Sequence, residues 1–386
     1  MITRIYIDNY KCFSNFEYKP GQNQLLLGRN GSGKSTVFEV VEVLRGFVLE
    51  RRDAAELFPA TSQTRWDERD EQTLELDIWD GSPATGPLVN GARYRYSTVI
   101  TREGDAPRVA AEELWVGGSD GGHQQSIYLR RADGAQLFSD IGGDPQALLV
   151  PPSLSGLSLI EDVPARGLLR RFRQLLRGIF AIRIAPQAME PLSCSEADFP
   201  KADLSDYASW YRHLAQDDAS IAIYLFQQLG EVLDGFHGLQ LKGDGTRTLS
   251  ALIRTESAEL ASYAFSELSD GQRVLIALYT VACLLQAAKA NAVGPGLTFC
   301  IDEPENYIAL AELQPWIQTM GEALEGTRSQ LLIASHHPEF INYYAHMDAL
   351  RLYREGGGPV RIAKFDGASA EPLLPAELIA RGWENE

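Results

Sequence analysis

Gly28-Arg29-Asn30-Gly31-Ser32-Gly33-Lys34-Ser35 is the stretch on which the reading of this chain turns. It fits the pattern Gly-x-x-x-x-Gly-Lys-Ser/Thr over its whole length. It follows a strand-like run, Gln24–Leu27, and opens a segment from Lys34 to about Leu49 whose apolar residues Val37, Phe38, Val41, Leu44 and Val48 recur at helical spacing. In that order a strand, a glycine-rich turn and a helix let backbone N–H groups turn inward on phosphates, and the helix N-terminus adds positive potential. Lys34 should reach the β- and γ-phosphates of a nucleotide and Ser35 should hold Mg²⁺. Thr36 completes the phosphate-binding run that begins at Gly28. A chance Gly/Ser loop is the alternative, and the flanking strand and helix argue against it.

Outward from this stretch, the 386 residues are 45% hydrophobic and 23% charged, enough for one large or two modest globular domains. No apolar run approaches the length that spans a bilayer, and the first residues lack a signal-peptide pattern, so a cytoplasmic protein with no membrane role is expected. Cys12, Cys194, Cys283 and Cys300 are scattered without a CxxC pair, which disfavours structural zinc. The formal net charge of −17 repels phosphate backbones and argues against a DNA-coating role. A local basic groove remains compatible with it, since screening cuts fields off within about 8 Å. The stretch from Arg166 to Arg183, with Arg170, Arg171, Arg173 and Arg177 among leucines and phenylalanines, has two readings. One is an amphipathic helix with a solvated basic face, the other a contact for DNA or an acidic partner; charge runs favour the first.

Three more segments carry chemistry. Leu297–Ile301 is an apolar strand that delivers Asp302 and Glu303 at its C-terminal end, where ligands bind on open α/β sheets. Asp302 suits a magnesium-holding role and Glu303 a general base that polarises the attacking water. Phe265-Ser266-Glu267-Leu268-Ser269-Asp270-Gly271-Gln272-Arg273 places a serine and backbone amides at a helix start, a second anion-binding nest. A plain helix cap at Ser269 is the competing reading. Leu332-Ile333-Ala334-Ser335-His336-His337-Pro338 closes a buried strand with histidines.

Together these segments resemble the ABC ATPase superfamily. The string at 268–272 is similar to the Leu-Ser-Gly-Gly-Gln signature, with Asp270 at the first glycine. The Ser335-His336-His337 segment and the opening Ile2–Phe13 resemble the branch that holds RecF, OLD and SMC-like proteins. The resemblance covers residues 1 to about 355. It implies an ATPase with catalytic Glu303, His336 and Lys34, and a homodimer that sandwiches ATP: Gly28 to Thr36 of one head against Ser269, Asp270, Gly271 and Gln272 of the other. His336 aligns with the γ-phosphate contact, and Asn306 and Tyr307 fall in the segment that crosses the interface. The family's Mg²⁺-sensing glutamine has no clear motif here; Gln187 and a plain loop glutamine stand equally. The roughly 70 residues from Leu192 to Ala261 hold no sustained heptads, so any arm is short.

The expected fold is an α/β P-loop ATPase head with a mostly parallel sheet, an antiparallel β-lobe and a short helical subdomain. Its parts would be 1–160 (P-loop and β-lobe), 161–260 (helical arm) and 261–386 (signature, Asp302-Glu303 and His336). Strands are expected at 73–79, 92–101 and 126–129, loops at Gly81-Ser82-Pro83 and Gly117–Gly122, and a helix that starts near Pro315. The function implied is a nucleotide-gated switch in bacterial DNA repair and maintenance or antiviral (anti-phage) defence, with a separately encoded effector such as a nuclease or toxin, and DNA as an open partner. The alternative is the nucleotide-binding subunit of an ABC membrane transporter.

Overall fold

Leu25, Leu26 and Leu27 are all buried, which a strand achieves only when both faces of its sheet are covered. The computed structural model describes residues 1–81, 91–104, 106–118, 124–140, 142–163, 166–290, 296–345, 348–365 and 374–381. In it Asn23–Leu27 lies inside a six-stranded sheet ordered Ile179–Ile182, Thr298–Asp302, Gln330–Ala334, Asn23–Leu27, Ala349–Tyr353, Arg361–Lys364. Every pairing is parallel except the last. Side chains alternate between two cores: Leu25, Leu27, Phe299, Ile301, Leu331 and Ile333 face one, while Leu26, Cys300, Leu332 and Ala334 face the other. The sheet is the wall between them.

One core holds the P-loop helix, Lys34–Leu49, and the β-lobe. That lobe is an eight-stranded antiparallel sheet into which Ile2–Asp8 is drawn, paired on one side with Phe16–Tyr18 and on the other with Gln72–Trp79. It is larger than the sequence suggests, because Ala92–Glu103 pairs with an unanticipated strand, Ala106–Gly118. The expected loop at 117–122 is corrected in part: Gly117 and Gly118 pair with Arg93 and Ala92, while 119–122 lie outside the described residues, as do Ser82 and Pro83.

The other core holds the signature helix, Asp270–Ala290, and the helices Tyr207–Asp217, Ala219–Val232 and Leu310–Leu324. By length and apolar composition the signature helix could cross a membrane, but here Val274–Leu285 is the buried centre of the molecule. Segment 161–260 mixes helices with strands. It contributes Ile179–Ile182 to the parallel sheet and carries its own small sheet, in which Phe236–Lys242 and Arg247–Arg254 form a hairpin flanked by Leu260–Ala264. Pro315 does not open its helix: the helix begins at Leu310, where the Ala309 N–H is held by Glu312, so the proline sits inside.

Two arginines of helix Gly167–Arg177 are engaged within the fold. Arg171 pairs with Asp80 and buried Arg173 donates to the carbonyls of Leu157 and Ile160, which leaves Arg170 and Arg177 as the exposed ones on that helix. That is no continuous basic face.

Candidate nucleotide site

The parallel register fixes where the motifs meet. Asp302 pairs with Ala334 and Ala334 with Leu26, so Glu303, Ser335 and Gly28 all leave the sheet at the same edge. The turn between Leu27 and the P-loop helix needs glycine at both ends. A Cβ on Gly28 would lie 2.5 Å from the Leu352 carbonyl oxygen, and Gly33, at φ 96°, would press one against the Phe13 ring at 2.8 Å. No side chain caps the helix at Gly33, so its first amides are open to a ligand. Lys34 is buried and its Nζ donates to the Gly28 carbonyl at 2.7 Å. Burial pushes its pKa down, opposed by the charges of Glu303, Asp302 and Glu305.

Asp302 is buried, its Oδ1 has no hydrogen-bond partner, and its Oδ2 lies 3.7 Å from Arg183 Nε. Burial raises its pKa, and the Ser35 hydroxyl beside it opposes that shift. Glu303 sits in the left-handed region at φ 49°, a strained backbone of the kind that clusters at functional sites. Its N–H donates to the Ala334 carbonyl, its Oε2 accepts from Asn306 at 3.1 Å and its Oε1 lies 3.4 Å from His336 Nδ1. His336 is 59% exposed at the side chain. His337 instead caps the next helix, its Nδ1 accepting from the Glu339 N–H.

A cavity of about 380 Å³ is lined by residues 30–36 together with Cys12, Arg183 and Glu303. A larger one, about 960 Å³, lies on the other flank of the P-loop against residues 28–32, His336 and residues 351–355. The donor set fits a magnesium triphosphate. An uncapped helix start and a buried ammonium stand opposite a buried carboxylate, and the Ser32 hydroxyl oxygen and Asp302 Oδ1 are both buried without partners.

The signature lines neither cavity. Ser269 Oγ accepts from the Gln272 N–H at 3.3 Å while Gln272 Oε1 accepts from the Ser269 N–H at 3.0 Å, a reciprocal cap. Asp270 pairs with Arg273 at 2.8 Å and accepts from Gln187 Nε2 at 2.6 Å. Gln187 is therefore bound to the signature and is not in the wall of the phosphate cavity. Gly271 is packed so that a Cβ would meet the Tyr307 carbonyl oxygen at 2.8 Å.

Sequence reasoning missed Arg183, Glu305 and Ser335. Glu305 is buried, accepts from Ser335 Oγ at 2.6 Å, and leaves its Oε2 without a partner. Its only sequence signal is its place in the string Asp302-Glu303-Pro304-Glu305. Arg183 had none, since only the pairing of Ile182 with Ile301 sets it level with Asp302.

Residues 25–342 match the family described as "AAA domain, putative AbiEii toxin, Type IV TA system". Over 180 residues the chain is 27% identical to the hemin import ATP-binding protein HmuV of Hahella chejuensis, covering 44% of this chain and 68% of that protein. An Smc head bound to the C-winged helix domain of ScpA has the same fold, with a TM-score of 0.55 at 12% identity over 95% of this chain and 98% of that one. So does an Smc head with an extended coiled coil bound to the C-terminal domain of ScpA from Pyrococcus furiosus, with a TM-score of 0.53 at 10% identity over 100% and 99%.

Proposed function

The chain belongs to that AAA-domain family, on the ABC-type head of the RecF and SMC-like branch, and from this premise we propose that it binds and hydrolyses ATP between two copies of itself. Mg²⁺ would neutralise charge on the β- and γ-phosphates, with Ser35 and Asp302 as the residues that hold it. Lys34, fixed at the P-loop by the Gly28 carbonyl, grips the same phosphates. Glu303 orients the attacking water and accepts its proton, and His336, 3.4 Å from Glu303, faces the γ-phosphate. Ser269 to Gln272 cap the ATP of the opposing head. One observation carries this reading: a buried lysine and buried carboxylates with unpartnered oxygens converge at one edge of the parallel sheet.

The head divides functionally into 1–160, 161–260 and 261–386, with Ile179–Ile182 tying the arm to the core sheet. A separately encoded effector reads the nucleotide state, as part of bacterial DNA maintenance or anti-phage defence in the cytoplasm. Support comes from the family's toxin–antitoxin description and from two Smc heads that each carry a piece of a partner. With Arg171 and Arg173 of that helix engaged internally and a net charge of −17, the chain favours a protein effector over DNA. The test is Glu303→Gln in size exclusion with light scattering, with and without ATP. A dimer that forms with ATP while turnover stops is expected; wild-type turnover would remove Glu303 from the mechanism.

The likeness to HmuV supports a second reading, the nucleotide-binding subunit of a membrane transporter. A permease encoded beside this chain would favour the second reading, and on co-expression with it a transporter subunit would move to the membrane fraction.

A further inference from the structure

Arg183 lines the phosphate cavity with Lys34, Ser35 and Glu303, and none of the roles given to those residues uses it. The parallel pairing of Ile182 with Ile301 sets it level with Asp302 on the neighbouring strand. Its backbone is pinned. The Arg183 N–H donates to the Ala202 carbonyl at 2.7 Å and the Ala185 N–H to the Asp203 carbonyl at 3.1 Å. Just beyond, the Pro186 carbonyl accepts from Arg273 and the Gln187 amide donates to Asp270. The side chain is the opposite case, 71% exposed. An exposed guanidinium on a fixed stem can turn while its loop stays where it is.

In the ligand-free protein that guanidinium lies beside the carboxylate suited to the metal. Arg183 Nε is 3.7 Å from Asp302 Oδ2, the one ion pair of this arginine among the described residues. Asp302 is buried and its Oδ1 has no partner. Burial raises its pKa and the charge of Glu303 adds to the rise, while the Ser35 hydroxyl and the charges of Arg183 and Lys34 oppose it. Arg183 is thus a counter-ion for a carboxylate that would otherwise face Glu303 with little relief. The hold is loose, since the separation is long and the arginine is mostly in water. Each partner has a stronger one in a loaded site: a dication for the carboxylate, and a phosphate for the planar fork of the guanidinium.

We propose that Arg183 is an exchange residue, which holds Asp302 in the empty head and passes to the phosphate anion once a metal ion has taken Asp302. Its contact with phosphate would then depend on whether Asp302 is occupied. The inference rests on the nucleotide reading of the cavity, and the test is arranged to part the two.

Calorimetric titration of the full chain with inorganic tripolyphosphate reads the exchange, with Arg183→Gln set against its parent in three settings. In EDTA, Asp302 engages the arginine, and the substitution should cost about threefold in affinity. With Mg²⁺ present, or in EDTA on an Asp302→Asn background, that hold is gone and the same substitution should cost about tenfold or more. A loss that is equal in all three settings, or larger in EDTA, overturns the exchange. A charge that merely sits near the phosphates adds the same amount whatever the state of Asp302. No loss in any setting overturns it as well, because Arg183 then never meets the anion. Tripolyphosphate binding that wild type lacks, or that Lys34→Ala leaves unchanged, would instead overturn the P-loop reading, and the exchange with it.

Discussion

Two helix starts in this chain look alike in sequence, each a small polar turn before an apolar helix, and the fold treats them in opposite ways. The start at Gly33 has no side-chain cap, and a buried lysine and unpartnered polar atoms surround it. The start at Ser269 is closed by its own Gln272, and Asp270 is tied to Arg273 and Gln187. Uncapped amides and stranded buried polar groups are costly in the absence of a ligand, and a protein keeps them where a ligand completes them. A self-capped start needs nothing. Ser269 accepts from Gln272, which leaves its own O–H as a donor toward solvent. Cap and phosphate contact are therefore compatible at Ser269, and the two readings of that serine are not rivals. What the second start needs is something brought to it.

The largest effect should come from breaking the first start. Lys34→Ala removes the buried ammonium of the P-loop, on which the charges of Glu303, Asp302 and Glu305 act. Nucleotide affinity measured by calorimetry should fall by about a hundredfold or more, since a charge-assisted contact and its screening go together. Glu303→Gln should spare affinity and lower turnover by about a hundredfold, the scale of a positioned general base, in a steady-state phosphate-release assay. Near wild-type release would show that the water is activated elsewhere.

Breaking the second start should be visible only between molecules. Ser269→Arg costs the helix its cap, about 1 kcal/mol, which the buried Val274–Leu285 core can bear. ATP affinity of the monomer should stay within about threefold of wild type, while turnover drops by about tenfold or more as the bulky cation blocks the opposing phosphate. If turnover were independent of protein concentration and unchanged in this variant, one head would suffice and the shared site would be wrong.

The contrast also explains what the sequence made legible. Gly28 to Ser35, Asp302-Glu303 and His336 could be placed because each is local: a few consecutive residues at the end of a strand carry the geometry. The parallel sheet follows from the runs Leu25–Leu27, Phe299–Ile301 and Leu331–Ala334, buried on alternating faces. Arg183 with Asp302 and Ser335 with Glu305 depend on contacts across the fold, 119 residues apart for the first pair (302 minus 183), and no spacing announces them. The strand Ala106–Gly118 hid behind Pro107 and its terminal glycines, which read as turn residues until their partner strand is known. The arginines at 171 and 173 looked like a surface because charge runs usually are one, yet distant acceptors, Asp80 and the carbonyls of Leu157 and Ile160, claim them.

The smallest effect is the most diagnostic in sign. Glu305, at the first site, is buried with one oxygen unpartnered, and burial raises its pKa above 4.5 against the pull of the Ser335 hydroxyl. A carboxyl raised in the folded state contributes stability that is full below the unfolded pKa and is lost as pH rises through the folded one. Wherever the pH exceeds that folded pKa the ionised Glu305 is a burden on the ligand-free protein, and there Glu305→Gln should raise the unfolding midpoint by about 2 °C, the shift that about 1 kcal/mol gives. The gain should shrink as pH falls through the raised folded pKa, where wild type takes up the proton and the two proteins converge. Asp270, at the second site, is partly exposed and paired with Arg273 at 2.8 Å, so Asp270→Asn should lose a few tenths of a kcal/mol and never gain. Calorimetric melts from pH 8 to pH 4 without nucleotide or metal read both signs. A Glu305→Gln protein less stable than wild type at neutral pH would mean that the first site is satisfied on its own, and the contrast between the two helix starts would go.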